Sequence, residues 1–314
     1  MRALRLSLGL LLAGASAASA QMSMSNTGGG RPSVSPDGKF IAFSAARNGE
    51  WEIYVIRPDG SGRTQLTSTG EKNFVNLGPP TWIGDRIFVS RRVNDTTRAF
   101  LVDLPDARGK ASRSIAPTRA IVLPADALLV RPSPDGRRLV FMHGDRQHPR
   151  IAVSNLDGSG LRDVTTGAPP AISPDWSPDS KRLVLSVLDS ALAWQLAVVN
   201  ADGTGFHLLT HFDQGEGRPQ WANWSRDGKH IVMQAGKYNP VKVEESTAHL
   251  WLVDPVTGQA TKLAPHTSVS LDETPSWFPD GKRIAFQSNR TGVMEVWTMN
   301  ADGTGARQVT SVTP

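Results

Sequence analysis

The apolar residues of this chain fall in short runs rather than at helical spacing. Phe40-Ile41-Ala42-Phe43, Leu139-Val140-Phe141, Leu183-Val184-Leu185, Ile231-Val232-Met233 and Ile284-Ala285-Phe286 are such runs, rich in β-branched and aromatic residues. Bounded by Gly, Pro and Asp, they read as strands. Each follows one and the same turn: Ser35-Pro36-Asp37-Gly38, Ser133-Pro134-Asp135-Gly136, Ser177-Pro178-Asp179-Ser180, Ser225-Arg226-Asp227-Gly228 and Phe278-Pro279-Asp280-Gly281. Ile83-Gly84-Asp85 is a sixth, degenerate copy. The six Asp positions (37, 85, 135, 179, 227 and 280) stand 48, 50, 44, 48 and 53 residues apart. A repeat of about 40 to 50 residues built from short strands is the period of a four-stranded propeller blade.

The rest of each unit completes the blade. A further apolar run, such as Ile53-Tyr54-Val55-Ile56 or Val296-Trp297-Thr298-Met299, ends in a second turn: Pro58-Asp59-Gly60, Leu156-Asp157-Gly158, Ala201-Asp202-Gly203 or Ala301-Asp302-Gly303. A short last strand closes the unit at Leu66-Thr67, Val164-Thr165, Leu209-Thr210, Leu263-Ala264 and Val309-Thr310. The pattern predicts an all-β chain: a six-bladed β-propeller with four antiparallel strands per blade. Because the repeat opens on a first strand and closes on a fourth, ring closure should rest on packing of blade six against blade one. Blade two, with Gly84-Asp85 reversed and no Pro, should be the least regular.

Turn chemistry accounts for the repeated carboxylates. Pro presets φ, Asp bonds nearby amides and Gly accepts φ > 0, so these Asp residues read as turn formers, not as catalytic or metal-binding pairs. The nine Trp fall on predicted first strands (Trp82, Trp176, Trp221, Trp224, Trp277) or third strands (Trp51, Trp194, Trp251, Trp297), which assigns them to packing between blades. Trp221 is surplus to that pattern, because Trp224 already occupies the repeated position.

Composition adds boundaries. Arg2 and Arg5, the apolar Leu6 to Ala13 and the small residues Ala18-Ser19-Ala20 form a secretory signal, with cleavage expected after Ala20. Its apolar core is too short to span a bilayer, which needs roughly 20 residues. The layout is then signal 1–20, a flexible segment 21–30, propeller 31–310 and tail 311–314, placing the chain in the periplasm or outside the cell with no integral membrane segment after cleavage. The absence of Cys excludes disulfides, thiolate metal sites and Cys nucleophiles. Removing Arg2 and Arg5 lowers the net charge of +5 by two, to +3, and no basic run points to nucleic acid.

The repeats resemble those of the TolB-like β-propeller family. The resemblance is carried by Pro32-Ser33-Val34-Ser35-Pro36-Asp37-Gly38, Pro174-Asp175-Trp176-Ser177-Pro178-Asp179 and Glu273-Thr274-Pro275-Ser276-Trp277-Phe278-Pro279-Asp280. It covers residues 31 to 310 and implies a periplasmic binding role, without the α/β domain that precedes the propeller in TolB. Similar units occur in oligogalacturonate lyases and in the propeller halves of prolyl oligopeptidases. The peptidase reading lacks its chemistry, since no G-x-S-x-G elbow is present.

Binding residues are expected on the variable loops opposite the uniform Asp-Gly turns. The candidates are Arg31, Arg91, Arg92, His143, Arg146, His148, His211, Asp213, Arg218, Lys237, Tyr238, Asp272, Glu273 and Arg290. His207 and His211 have helical chelating spacing, but on a strand they would stand about 13 Å apart, too far for one ion. Two function classes stay open. One is a non-catalytic, monomeric platform for an envelope protein or cell-wall glycan, with no cofactor. The other is a lyase in which His143, His148 and His211 hold a divalent cation at the channel mouth.

Overall fold

The computed structural model describes residues 29–47, 50–67, 74–76, 78–93, 96–104, 121–145, 148–165, 167, 169–213, 217–237, 246–263 and 270–311. The expected signal and the candidates Arg146 and Tyr238 lie outside the described residues. Six antiparallel sheets follow one another along the chain. Blade one comprises β1 (Gly30–Val34), β2 (Ile41–Arg47), β3 (Glu50–Ile56) and β4 (Thr64–Gln65). Blade two holds β5 (Phe74–Asn76), β6 (Thr81–Ile83), β7 (Arg86–Val93), β8 (Thr96–Asp103) and β9 (Ile121–Leu123). Blade three holds β10 (Leu128–Pro132), β11 (Arg138–His143), β12 (Arg150–Asn155) and β13 (Arg162–Asp163). Blade four is β14 (Ala171–Trp176), β15 (Arg182–Leu188), β16 (Trp194–Asn200) and β17 (His207–Leu208). Blade five is β18 (Gln220–Trp224), β19 (Ile231–Ala235), β20 (His249–Val253) and β21 (Ala260–Lys262). Blade six is β22 (Asp272–Trp277), β23 (Arg283–Ser288), β24 (Glu295–Asn300) and β25 (Arg307–Gln308).

The exception is blade two, as its turn chemistry foretold. Its first strand is broken, and β5 and β6 both pair with β7. Pro79-Pro80 stands in the break, and two residues without an N–H cannot donate to a ladder.

Each interface between blades is an apolar layer. Val140, Ile151 and Val153 of blade three meet Trp176, Leu183 and Val199 of blade four in one buried cluster. Blade six closes on blade one in the same way, with Phe278, Ala285, Val296 and Val309 against Val34, Ile41, Phe43 and Tyr54. Among the described residues no strand from one terminus joins the other's sheet. The seam carries cross-blade hydrogen bonds instead, Val34 N to Ser276 Oγ (3.1 Å) and Arg307 Nη2 to the Pro58 carbonyl (3.0 Å).

Repeated polar residues are satisfied inside the repeat. Thr67, Thr165, Thr210 and Thr310, which follow the short fourth strands, are buried, and their hydroxyls accept the amides of Ile53, Ile151, Leu196 and Val296 at 2.8–3.0 Å. In the first turns, the Ser35, Ser177 and Ser225 hydroxyls donate to Asp37, Asp179 and Asp227 at 2.6–2.7 Å. Those hydroxyls hold the three carboxyls below their ordinary pKa, and the amides of Lys39, Lys181 and Lys229 add to the effect. Asp202 and Asp302 are lowered in the same way by Thr204 and Thr304.

A carboxyl whose pKa is depressed in the folded state stabilises the fold above its unfolded pKa, and that stability is lost as pH falls through the folded value. The thermal midpoint is therefore expected to be flat from pH 7 to about 5 and to fall steeply below about pH 4, where unfolded Asp takes up its proton. Calorimetry across that range checks it, and a midpoint still flat at about pH 3 would mean the turn carboxylates contribute nothing.

Candidate functional site

Six homologous positions line the axis. Ser33, Thr81, Arg131, Asp175, Asn223 and Ser276 each immediately precede the residue at the Trp position of the repeat (Val34, Trp82, Pro132, Trp176, Trp224, Trp277). Alternation along the innermost strand buries the Trp between blades and turns its predecessor to the channel. All six line one cavity of about 560 Å³, to which every blade contributes. The cavity extends towards the uniform turn face, where Pro36, Pro134, Pro178 and Pro279 rim it. Arg226 spans this mouth, its Nη1 donating at 2.7 Å from the first turn of blade five to the Pro36 carbonyl of blade one.

Hydrogen bonds tie this tier together. Arg131 Nη1 meets Asp175 Oδ1 at 3.1 Å, and Asn223 Nδ2 donates to the other carboxylate oxygen at 2.8 Å. The Trp277 amide donates to Asn223 Oδ1 at 3.1 Å. The indole N–H groups of Trp82, Trp176 and Trp277 bond the backbone carbonyls of Ser33, Arg131 and Asn223 in the preceding blades at 2.9, 3.2 and 3.1 Å.

Two residues upstream of the tier, five blades share a bulge. Arg31, Leu129, Ser173, Trp221 and Thr274 all have φ near +50°, where the first strand gains one residue on its partner. A left-handed non-glycine residue costs of order 1 kcal/mol or more, and its recurrence marks a position the fold holds for a purpose. In blade five the bulge aims Trp221 at the axis. Its ring centroid lies 5.7 Å from the Arg131 guanidinium of blade three and 5.9 Å from that of Arg31 of blade one. Alternate blades stand 120° apart in a six-membered ring, so a side chain of blade five touching both must cross the axis. The surplus tryptophan is therefore half-buried in the channel, not in a blade interface.

On the loop side of Trp221 the structure brings together Arg31 and Glu273. Gln287 joins them: its Oε1 accepts the Arg31 amide at 2.7 Å and its Nε2 donates to Glu273 Oε2 at 2.8 Å. Burial raises the Glu273 pKa, opposed by Gln287 and by the charge of Arg31. Burial likewise lowers that of Arg31, against Glu273.

The other candidates are spread over separate places. Arg91 is buried on β7, with Nη2 3.1 Å from Glu52 Oε2. Arg92 is half-buried and reaches the Ala127 carbonyl at 3.4 Å. Asp272 is fully buried and bound by Arg290 Nη2 at 2.9 Å, while Arg290 stacks over Phe286 and Trp297. Arg218 lies over Trp194, 4.2 Å from the centroid, and burial lowers its pKa to about 10. His143 Nε2 pairs with Asp163 at 2.6 Å, an aspartate also held by Arg150 at 3.0 Å. His148 is exposed beside Asp145, and His211, Asp213 and Lys237 are exposed. Among the described residues no three His, Asp or Glu side chains gather in metal-holding geometry.

The cavity's lining contains none of the twelve candidates that lie among the described residues. The tier itself lies on strands, away from the variable loops. Its signal is present in the sequence as a position that varies from blade to blade (Ser, Thr, Arg, Asp, Asn, Ser) beside neighbours that repeat.

Fold and channel define a six-bladed β-propeller, and its solved structural neighbours include TolB-like propellers. TolB from Acinetobacter baumannii superposes with a TM-score of 0.66 at 17% identity, over 88% of this chain and 65% of that one. Oligogalacturonate lyase from Vibrio parahaemolyticus matches at 0.53 and 15%, over 89% and 92%. In sequence, an uncharacterized protein of Agrobacterium fabrum is 23% identical over 214 residues, 55% of this chain and 69% of that protein. Dipeptidyl-peptidase 5 of Porphyromonas endodontalis is 26% identical over 217 residues, 54% of this chain and 30% of the peptidase. No family model matches.

Proposed function

We propose that this chain is an exported, non-catalytic TolB-like propeller that binds a protein or cell-wall component of the envelope as a monomer, without cofactor or nucleic acid. The observation that carries the reading is the axial cavity. At about 560 Å³ it is within the roughly 300–1,000 Å³ of ordinary ligand sites, and its polar groups come one from each blade on rigid inner strands. Its Asp175 and Arg131 are already paired with each other, an arrangement suited to recognition rather than to proton transfer or nucleophilic attack. The His143 expected of the lyase reading is instead engaged with Asp163, itself held by Arg150.

The test pairs turnover with binding. Purified protein incubated with oligogalacturonides and with peptidoglycan fragments, with and without Mn²⁺, is expected to give no product. Metal-dependent product abolished by His143→Ala or His211→Ala would overturn the binding reading in favour of the lyase one. In parallel, Arg226→Glu at the channel mouth is expected to weaken capture of peptidoglycan fragments or immobilised peptides about tenfold, equivalent to about 1.4 kcal/mol.

A further inference from the structure

The turn face is positively charged around the channel mouth. Each of the six first turns leads into a cation: Lys39, Arg86, Arg137, Lys181, Lys229 and Lys282. From the residue before each turn aspartate to the third residue after it, the six blades hold ten Lys or Arg against six Asp. Three of the ten, Lys39, Arg86 and Arg283, are matched by Asp37, Asp103 and Asp280 at 3.3, 2.8 and 2.8 Å. In five blades the turn carboxylate accepts the backbone amide of the ring cation at 2.8–3.1 Å, which holds the acid against the backbone. The five cations concerned, Lys39, Arg137, Lys181, Lys229 and Lys282, stand exposed on longer stems. The outer turns, where Asp59, Asp157, Asp202, Asp254 and Asp302 recur, carry no such excess, so the positive charge is concentrated around the mouth.

The ring is level. In five blades the first turn closes with the same hydrogen bond, from the residue after the Asp to the residue two before it, at 2.8–3.0 Å. Equivalent turns on equivalent strands of a ring place their cations in one plane. The outer turns share this face, since the amides of Leu156, Ala201 and Ala301 donate to the carbonyls of Arg137, Lys181 and Lys282 at 2.8 Å. They bring two apolar tips to it, Leu161 of blade three at 50% exposed and Val256 of blade five at 89%. A level ring of cations edged by exposed aliphatic side chains complements a bilayer surface, with anionic headgroups for the cations and the acyl boundary for the tips. An acidic polypeptide is better met by a groove or a sheet edge, and the turns around the mouth form neither. We infer that the turn face docks on a bilayer rich in anionic lipid, with Arg137, Lys181, Lys229 and Lys282 against the headgroups and Leu161 and Val256 at the acyl boundary. Docked in this way, the chain turns its channel mouth to the membrane, whatever the cavity takes up.

The experiment sediments the full mature chain with vesicles of phosphatidylglycerol and phosphatidylcholine, and with vesicles of phosphatidylcholine alone. Binding is expected on the mixed vesicles only. It should be lost as salt rises from about 0.1 to about 1 M, where the screening length falls from about 10 to about 3 Å. Lys181→Gln and Lys229→Gln are each expected to weaken partition about fivefold, the worth of one cation near anionic lipid. Arg98→Gln, exposed on β8 near the opposite face, is expected to leave it unchanged. Circular dichroism shows whether each variant remains folded. Because the chain has no Cys, a single introduced cysteine takes a polarity-sensitive dye at one place. The dye on Val256→Cys is expected to shift to the blue on mixed vesicles, and on Val293→Cys, in the loop between β23 and β24, to stay unshifted. Equal binding to neutral vesicles overturns the inference, as does a blue shift at Val293→Cys in place of Val256→Cys. Binding to soluble polyglutamate but to neither vesicle overturns it in favour of an acidic polypeptide, and absence of binding to all three overturns it outright. Each of these outcomes leaves the binding reading of the cavity to its own test.

Discussion

Trp277→Ala is expected to cost about 3–5 kcal/mol of stability, the range for truncating a core tryptophan to alanine. Trp277 lies between blades five and six, packed with Val232, Leu250, Ile284, Phe286 and Met299, and is 6% exposed. Alanine would open a void in a layer that cannot close up, because both sheets are held by ladders on either side. The indole also donates to the Asn223 carbonyl, and the backbone amide of Trp277 donates to the Asn223 side chain. The variant therefore disturbs the axial tier as well as the interface. Trp277→Phe separates the two effects. It retains most of the apolar area but loses the indole bond, for a cost nearer 1–2 kcal/mol. Guanidinium titrations monitored by circular dichroism measure both. A loss below about 1 kcal/mol for the alanine variant, the range of surface substitutions, would mean that the repeated tryptophan does not carry the interface.

The fold was legible because every element of it is written several times over. Turn residues at fixed offsets, apolar runs between them and a Trp before four of the six turns recur at blade period, so one misread copy could not mislead. Even the irregular blade was marked, by Gly84-Asp85 and Pro79-Pro80. The site was legible only in part. Trp221 stood out as surplus, and the axis is where it lies. Arg31 and Glu273, both loop-face candidates in the sequence, are linked in the structure through Gln287. Arg91 and Asp272 looked like loop charges but are buried beside partners from other parts of the chain, Glu52 and Arg290. No local pattern separates a paired buried charge from an exposed one, since the distinction rests on a partner tens of residues away. The axial tier escaped for the opposite reason. It lies on strands, inside the repeat, where residue variation reads as noise until six strands are brought round one axis.

Arg91→Ala is expected to be comparably destabilising, by about 3–5 kcal/mol, because it breaks a buried ion pair by removing one partner. Arg91 is 2% exposed and Glu52 4%, and their side chains meet at 3.1 Å across the junction of blades one and two. Thr67 completes the group: its hydroxyl donates to Glu52 and accepts from Arg91 Nη2 at 3.1 Å. Removing the guanidinium thus takes the Arg91 ion pair from Glu52 and a donor from Thr67 at a buried site. The sign of the effect depends on which half is removed and which remains. Replacing both charges together, as Glu52→Leu with Arg91→Met, removes the desolvation penalty along with the attraction. The double variant is expected to lie within about 1–2 kcal/mol of the natural sequence, far closer than Arg91→Ala alone, since well-packed apolar pairs substitute for buried ion pairs at little cost. Denaturation midpoints of the three proteins decide it. If Arg91→Ala and the double variant lose the same stability, the pair does not act as a coupled unit, and the cost comes from lost packing rather than from the broken ion pair.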